Sequence, residues 1–494
     1  MLIDWQNSSD SLIAKMPFSL KLDGSTDLIN QITIEDKVQS FDYVSTESND
    51  FEGFILNLDT PLKPHHKLRI SLDFKTKPNE FFREKMLFYA DDIPLLHYFE
   101  NGKFNPYYQV HANYQVQLTY PQDFEIATTG KIVSSASSNQ QISVETEAHS
   151  VPSYGFVLLK DIVLKEAESS GVKIRSFYFE ADSKWGTKLL EYSQNIIRFF
   201  VDKLGFYPQP TLTIIPGYPS PYGGWPVCPN VVGVHRGIDQ KKAGAETHAH
   251  WIMAHEIGHQ YWGFNYILEP LEYPQWLGVG MGIHTDKLYA EQYIPDFDYN
   301  QYFSKSYLKA IQQGDDTTIM QTVESLNKQN FDWNNAILHD KAYYVLQMLA
   351  YEIGEEAFWQ VQHYCLENFK GVNVTLELFK KECERISQRD LDQFFHTWFF
   401  TNDYLEYQIA SVQTELNNQL YQNEIKIDKI GKAQISHLEI ELILQGDKKQ
   451  RVLLDGKKQS EILKITTEEP LNKIRLDPDL KLLLVNRKAW KRDN

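Results

Sequence analysis

Residues 254–263 read Ala-His-Glu-Ile-Gly-His-Gln-Tyr-Trp-Gly, and this run restricts the chain more than any other. His255 and His259 are four residues apart, so a helix puts them on one face, offset by about 6 Å along its axis. Two imidazoles so placed converge on one ion. Zinc accepts neutral imidazole nitrogens at about 2.0–2.1 Å, and catalytic zinc commonly takes three protein ligands and keeps a fourth position for water. Glu256 would sit beside that water. A carboxylate there takes the water's proton during attack on a carbonyl and hands it to the leaving amine.

The motif reads as part of a helix with a buried face. Ala249, Ile252, Met253, Ile257 and Tyr261 form an apolar stripe at 3–4 residue spacing, and no proline interrupts 241–268. The plainer alternative is that such a motif arises by chance, and that the two histidines and the glutamate are structural. His248 and His250 do not enlarge the set. His248 is seven residues from His255, about 10 Å along a helix, too far to share an ion with both motif histidines. Solvated or capping roles are expected for the two.

A chain of 494 residues is long enough for two to four domains, each with its own core. Its net charge of −17 argues against nucleic-acid partners, which require a basic surface to displace counterions from phosphate. The basic residues within 487–492 read as a solvated tail. Cys228, Cys365 and Cys383 have spacings that suit neither a disulfide framework nor a zinc knuckle, which points to a reducing compartment. No basic-then-apolar leader opens the chain, and no apolar run is long enough to span a membrane. The expectation is a soluble, cytoplasmic protein.

Along the chain, residues 30–165 are short alternating segments broken by turn residues, such as Lys67–Phe74, 114–119 and 142–147, and read as β-rich. From 182 to 205 the period becomes helical, with Leu189, Leu190, Ile196, Ile197, Phe200 and Val201 on the buried face and Gly205 as the stop. Thr211–Pro216 reads as a buried strand. Helical periodicity returns over 303–400, where Asp390 and Gln393 resemble a capping pair ahead of Phe394, Phe395 and Trp398. After about 405 alternation resumes, as in 435–444 and 450–454, giving a terminal β module of small-domain size.

These segments resemble the aminopeptidase N family of zinc metallopeptidases, the gluzincins that include leukotriene A-four hydrolase. Residues 114–133 look like a strand, turn and strand of the family's N-terminal β domain, and 221–237 like its active-site edge strand. The motif itself is similar to the zinc helix, 274–283 to the start of the next helix, and 339–358 with 387–399 to the helical part that follows. Residues 475–487 look like the last strand of a β-sandwich found in some members. The resemblance implies an α+β multidomain fold: an N-terminal β saddle domain over 1–170, a thermolysin-like α/β catalytic domain over 171–403 and a C-terminal β-sandwich over 404–494. It also implies one zinc ion held by His255 and His259, Glu256 as general base, and a peptide as substrate or ligand.

Three positions depart from the family pattern. The family's third zinc ligand is a glutamate in a Trp-Leu-Asn-Glu-Gly string, but here the string is Trp276-Leu277-Gly278-Val279-Gly280, which places Val279 at the ligand position. Asp286, seven residues on, is about 10 Å away along a helix, His284 is rotated to another face, and Glu269 and Glu272 would reach inward only from an unusual loop. The family's catalytic tyrosine, in Tyr-Glu-Lys-Gly, is matched by His339 in His339-Asp340-Lys341-Ala342. Histidine also donates a hydrogen bond, so His339 is the candidate electrophile or substitute ligand, with a satisfied surface role as the alternative. Finally, Gly224-Trp225-Pro226-Val227 carries no carboxylate where the family's strand binds a substrate amine, so aminopeptidase specificity is not supported.

Gly278, Gly280 and Gly282 each weaken a helix by about 1 kcal/mol relative to alanine, which usually signals either close approach of another backbone or relaxed selection. Tyr222, Trp225, Trp262 and Trp276 are candidates to line a cleft beside the N-terminal β domain, with core packing as the role expected of any one of them. Two functions follow from the motif and its departures. One is a zinc-dependent peptidase with an unidentified third ligand. The other is a catalytically inactive scaffold of the same fold, retained for peptide binding or partner docking.

Overall fold

The computed structural model describes the chain apart from residues 8–9, 21–27, 46–51, 76–78, 82–84, 90–92, 101–102, 218–222, 235–243, 323–324, 326–334 and 493–494, with backbone alone at 79–81, 98–100, 103–107 and 335. Its fold is α+β, with a β-rich N-terminal region, a helical middle and a C-terminal β-sandwich. Two compact units form. The first comprises Met1–Phe297, Thr322–Glu324 and Tyr364–Thr375, and the second comprises Asp298–Gln321, Ser325–His363 and Leu376–Asn494.

The first unit opens with a seven-stranded and a five-stranded sheet. In Ala112–Pro121, in the seven-stranded sheet, alternate residues are buried, as a two-residue period demands of a sheet with one face on a core. That core gathers Ile3, Ile32, Ile70 and Tyr114 with Phe18, Phe54 and Leu56 of the five-stranded sheet, and Phe18 stacks on Phe54 with ring centroids 4.9 Å apart.

The sheet that positions the candidate site has five strands: β1 (Val163–Ser169), β2 (Val172–Tyr178), β3 (Thr211–Pro216), β4 (Gly224–Cys228) and β5 (Val231–Val234). Their order is β1-β2-β3-β5-β4, parallel across β2-β3-β5 and antiparallel at both ends, which leaves β4 on the edge. Pro226 therefore sits where a missing N–H is tolerated. Asn230, in the β4–β5 turn, accepts from the Gly130 N–H and donates to the Thr128 carbonyl and Thr211 hydroxyl, tying this hairpin to the preceding β region.

Helix α1 (Ser183–Leu204) buries Leu190, Ile196, Ile197 and Phe200, and stops at Gly205, whose φ of 89° suits glycine. Helices α2 (Ala245–Gly258) and α3 (Trp276–Tyr293) are buried on nearly every side. Two of the three glycines of α3, Gly278 and Gly282, do mark a close approach. A Cβ on Gly278 would stand 3.1 Å from the Gly263 Cα, and the Gly282 carbonyl oxygen lies 3.1 Å from where a Cβ on Gly258 of α2 would be.

In the second unit, α4 (Tyr299–Gln313) is capped by Asp298, which accepts from the Gln301 N–H at 2.9 Å. A π-helical turn, Asn335–Lys341, runs into α5 (Ala342–Ile353). Helices α6 (Glu355–Asn368), α7 (Leu376–Ser387) and α8 (Asp392–Phe400) follow. The capping pair expected at Asp390 and Gln393 forms only in part. Asp390 accepts from the Asp392 N–H at 3.0 Å, but Gln393 donates forward to the Thr397 hydroxyl instead of reaching back. The terminal sandwich sets the three strands Tyr407–Asn417, Leu420–Lys429 and Ser460–Thr467 with a second sheet of Lys449–Asp455, His437–Leu444, Leu471–Leu476 and Trp490–Lys491.

Candidate metal centre

Helix α2 brings the motif histidines together as the four-residue spacing requires, with Nε2 of His255 3.0 Å from Nε2 of His259. Each ring is fixed from behind. Nδ1 of His255 lies 2.8 Å from Oδ2 of Asp286, a fully buried carboxylate on α3, and Nδ1 of His259 lies 3.2 Å from the Gly278 carbonyl oxygen. A carbonyl accepts only, and an ionised carboxylate likewise, so these neighbours assign the N–H of each ring to Nδ1. Both Nε2 atoms then face each other as acceptors, an arrangement that calls for a cation or a proton between them.

This geometry suits a metal ion through two imidazoles. Two nitrogens at about 2.0–2.1 Å from tetrahedral zinc lie about 3.3–3.4 Å apart, a few tenths of an ångström from the separation found here. A histidine ligand whose other nitrogen is held by a carboxylate or carbonyl is the usual outer support of such a site. The third position is different. Val279 is buried and aliphatic, and among the described residues no His, Cys, Asp or Glu joins His255 and His259 in a group of three ligand atoms within 4.8 Å of one another.

Glu256 points toward the edge strand. Its side chain is 2 % exposed and packs where a Cβ on Gly224, the first residue of β4, would meet Oε1 at 2.6 Å. Oε2 has no hydrogen-bond partner among the described residues, and burial pushes the carboxyl's proton affinity well above the usual range. A larger residue at 224 would displace this carboxyl.

Of the other candidate ligands, Asp286 instead buttresses His255. Val279 and Asp286 are two helical turns apart and so share a face, a spacing that from sequence alone only set Asp286 too far from the ion. Glu269 accepts from the N–H groups of Gln275, Leu277 and Gly278, at 2.5, 3.0 and 3.0 Å, and so caps α3 from a loop rather than reaching an ion. No local pattern announces that role. His284 is buried on α3, where desolvation lowers it to about 3.

His339 belongs to the second unit, in the π-helical turn, with its side chain 22 % exposed. Its Nδ1 lies 3.1 Å from Oδ1 of Asp340 and its ring lies beside Phe303. Burial raises the Asp340 carboxyl, and His339 opposes that rise.

His248 and His250 take no part in the pair, but they are not solvated caps either. His248 lies beside the Trp251 ring, while His250 is half-buried, stacks on Tyr192 and hydrogen-bonds the Tyr289 hydroxyl at 2.6 Å. Trp262 and Trp276 are core residues, the former donating to Thr285, whereas Trp225 is half-buried against Phe88. Tyr222 lies outside the described residues. A cavity lined by Tyr178, Trp185, Pro216, Val234 and Ala249 sits instead at the carboxyl ends of β2, β3 and β5.

No curated protein matches the chain. The model of the Peptidase family M1 domain matches residues 237–398, about a third of the chain, and its span contains α2, α3 and His339. That match supports kinship with the M1 aminopeptidase family, a family of zinc metallopeptidases.

Proposed function

We propose that this chain is a zinc-dependent metallopeptidase. In this reading His255 and His259 hold the ion, Glu256 is the general base and His339 donates a hydrogen bond to the developing oxyanion. One observation carries it: two imidazoles whose Nδ1 atoms are engaged by Asp286 and Gly278 present Nε2 acceptors to each other at 3.0 Å. When bound, zinc acidifies a water and polarises a carbonyl. The residues do the rest. Asp286 and the Gly278 carbonyl keep both rings in the tautomer that leaves Nε2 open to an ion, and the buried surroundings keep bulk water away from it. The Glu256 carboxylate, from its place beside Gly224, accepts a proton and returns it to the leaving amine.

Val279 favours a second reading, a scaffold that keeps the fold and binds peptides without cleaving them. The deciding experiment measures zinc per chain in wild-type protein, in His259→Ala and in Glu256→Gln, together with cleavage of a casein digest. The peptidase reading expects close to one zinc in wild type and Glu256→Gln, little in His259→Ala, and cleavage by wild type alone. Undiminished cleavage by Glu256→Gln would sink the assignment, and a wild-type chain without zinc or cleavage would leave the scaffold reading.

A further inference from the structure

Two buried carboxylates stand behind the imidazole pair, and only one of them touches a histidine. Asp286 meets His255 directly. Behind His259 stands a backbone carbonyl, and the question is what holds that carbonyl in place.

Glu269 is 1 % exposed and follows Leu268, whose N–H donates to the Val372 carbonyl at 3.0 Å and whose carbonyl accepts from the Val374 N–H at 2.8 Å. The loop is thereby anchored immediately before the carboxyl. Both carboxyl oxygens are then spent on the first turn of α3, Oε1 on the Gln275 N–H and Oε2 on the N–H groups of Leu277 and Gly278. The helix has no cap of its own, because its N-cap residue, Gln275, has a φ of 77° and makes no side-chain cap bond. Gly278 is thus gripped at both ends, its N–H by Glu269 and its C=O by Nδ1 of His259. It also cannot move aside without meeting the Phe264 ring and the Gly263 backbone, which approach its Cα side closely.

We infer that Glu269 is a positioning residue for the metal centre, fixing the ring and tautomer of His259 through Gly278. This rests on the reading that His255 and His259 hold an ion, and it extends that reading to a residue that bears no ligand. When ionised, the carboxyl bonds N–H groups more strongly than a neutral group does, which makes Glu269 a firmer clamp than a hydroxyl or amide cap.

Glu269→Gln supplies the test, because an amide replaces one acceptor oxygen with donors that face the N–H groups of α3. In the full-length chain without metal, the long-range nitrogen–proton spectrum of the His259 ring, assigned with His259→Ala, is expected to lose the Nδ1–H pattern of wild type. Zinc affinity, measured by competition with a chelator, is expected to fall about tenfold or more. Glu269→Asp keeps the charge on a side chain one methylene shorter, so it is expected to show a smaller loss of both, and that partial loss of the Nδ1–H pattern is the test if Glu269→Gln does not fold. A His259 ring spectrum unchanged from wild type overturns the inference, whatever the zinc affinity. A wild-type chain that takes up no zinc overturns the metal reading alone, because the ring spectrum still decides the role of Glu269.

Discussion

Gly282 of α3 lies so close to His259 that a Cβ on it would stand 2.9 Å from the ring's Nδ1 and 3.1 Å from Cε1. The helix thus presses bare backbone against the imidazole face, in the turn after Gly278 accepts from the same ring. Gly282→Ala is expected to push the His259 ring off its bond to Gly278. The helix would gain about 1 kcal/mol in propensity, against about 1–3 kcal/mol for overpacking a closed interior. Net stability should therefore fall by no more than about 2 kcal/mol, while zinc affinity drops by about tenfold or more. Melting and zinc competition check the two terms separately, and unimpaired zinc binding would show that the ring has room to move.

The second unit contains its own buried charge. Lys341 is fully buried, and its ammonium donates to Oδ1 of Asp316 at 2.9 Å and to the Thr317 carbonyl at 2.7 Å. Burial lowers its proton affinity, while Asp316 raises it. Asp316→Asn removes the paired charge and leaves the ammonium on the Thr317 carbonyl, and is expected to cost about 3 kcal/mol, with Lys341→Met in the same chain recovering part of the loss. Urea denaturation of the single and double variants measures both. Equal stability of wild type and Asp316→Asn would mean that water reaches Lys341.

How much of this was legible depended on whether each signal was local. Helix α1 was fixed by its own stripe and by Gly205, and the convergence of His255 and His259 followed from a four-residue spacing alone. The glycines of α3 announced a close approach, but not that the neighbours would be Gly258, Gly263 and His259. The supports of the pair were illegible for a physical reason. Asp286 and Glu269 act across helices and loops, and their partners include backbone N–H groups that every residue carries. The capping pair at Asp390 and Gln393 formed only in part where a local motif met competition, because Thr397 offered Gln393 an acceptor one turn ahead.

Glu269 also gives stability a pH dependence. Desolvation raises its carboxyl to about 7, with three backbone N–H bonds holding it from rising further. An acid whose folded pKa exceeds its unfolded value of about 4.5 binds more protons when folded, so stability falls as pH climbs between these limits. The loss amounts to about 3 kcal/mol, complete above pH 7 and absent below pH 4.5. Glu269→Gln cannot titrate and should lack that decline. Urea midpoints of the two chains at pH 5, 6, 7 and 8 test this, and parallel curves would refute it.

Asp286 is the residue whose replacement best separates support of the metal from support of the fold. It is fully buried, and its Oδ2 accepts from Nδ1 of His255 at 2.8 Å. Asp286→Asn preserves shape and leaves the side-chain carbonyl as an acceptor, so the ring keeps its orientation while losing a negative charge behind it. That charge raises the basicity of Nε2, and losing such outer support costs a site about 10–100-fold in metal affinity. The fold, relieved of a buried carboxylate, should lose little stability. The expected result is therefore zinc affinity reduced by one to two orders of magnitude with a melting temperature near that of wild type in the metal-free state. A large fall in melting temperature with unchanged zinc affinity would assign Asp286 to the packing of α3 on α2 instead.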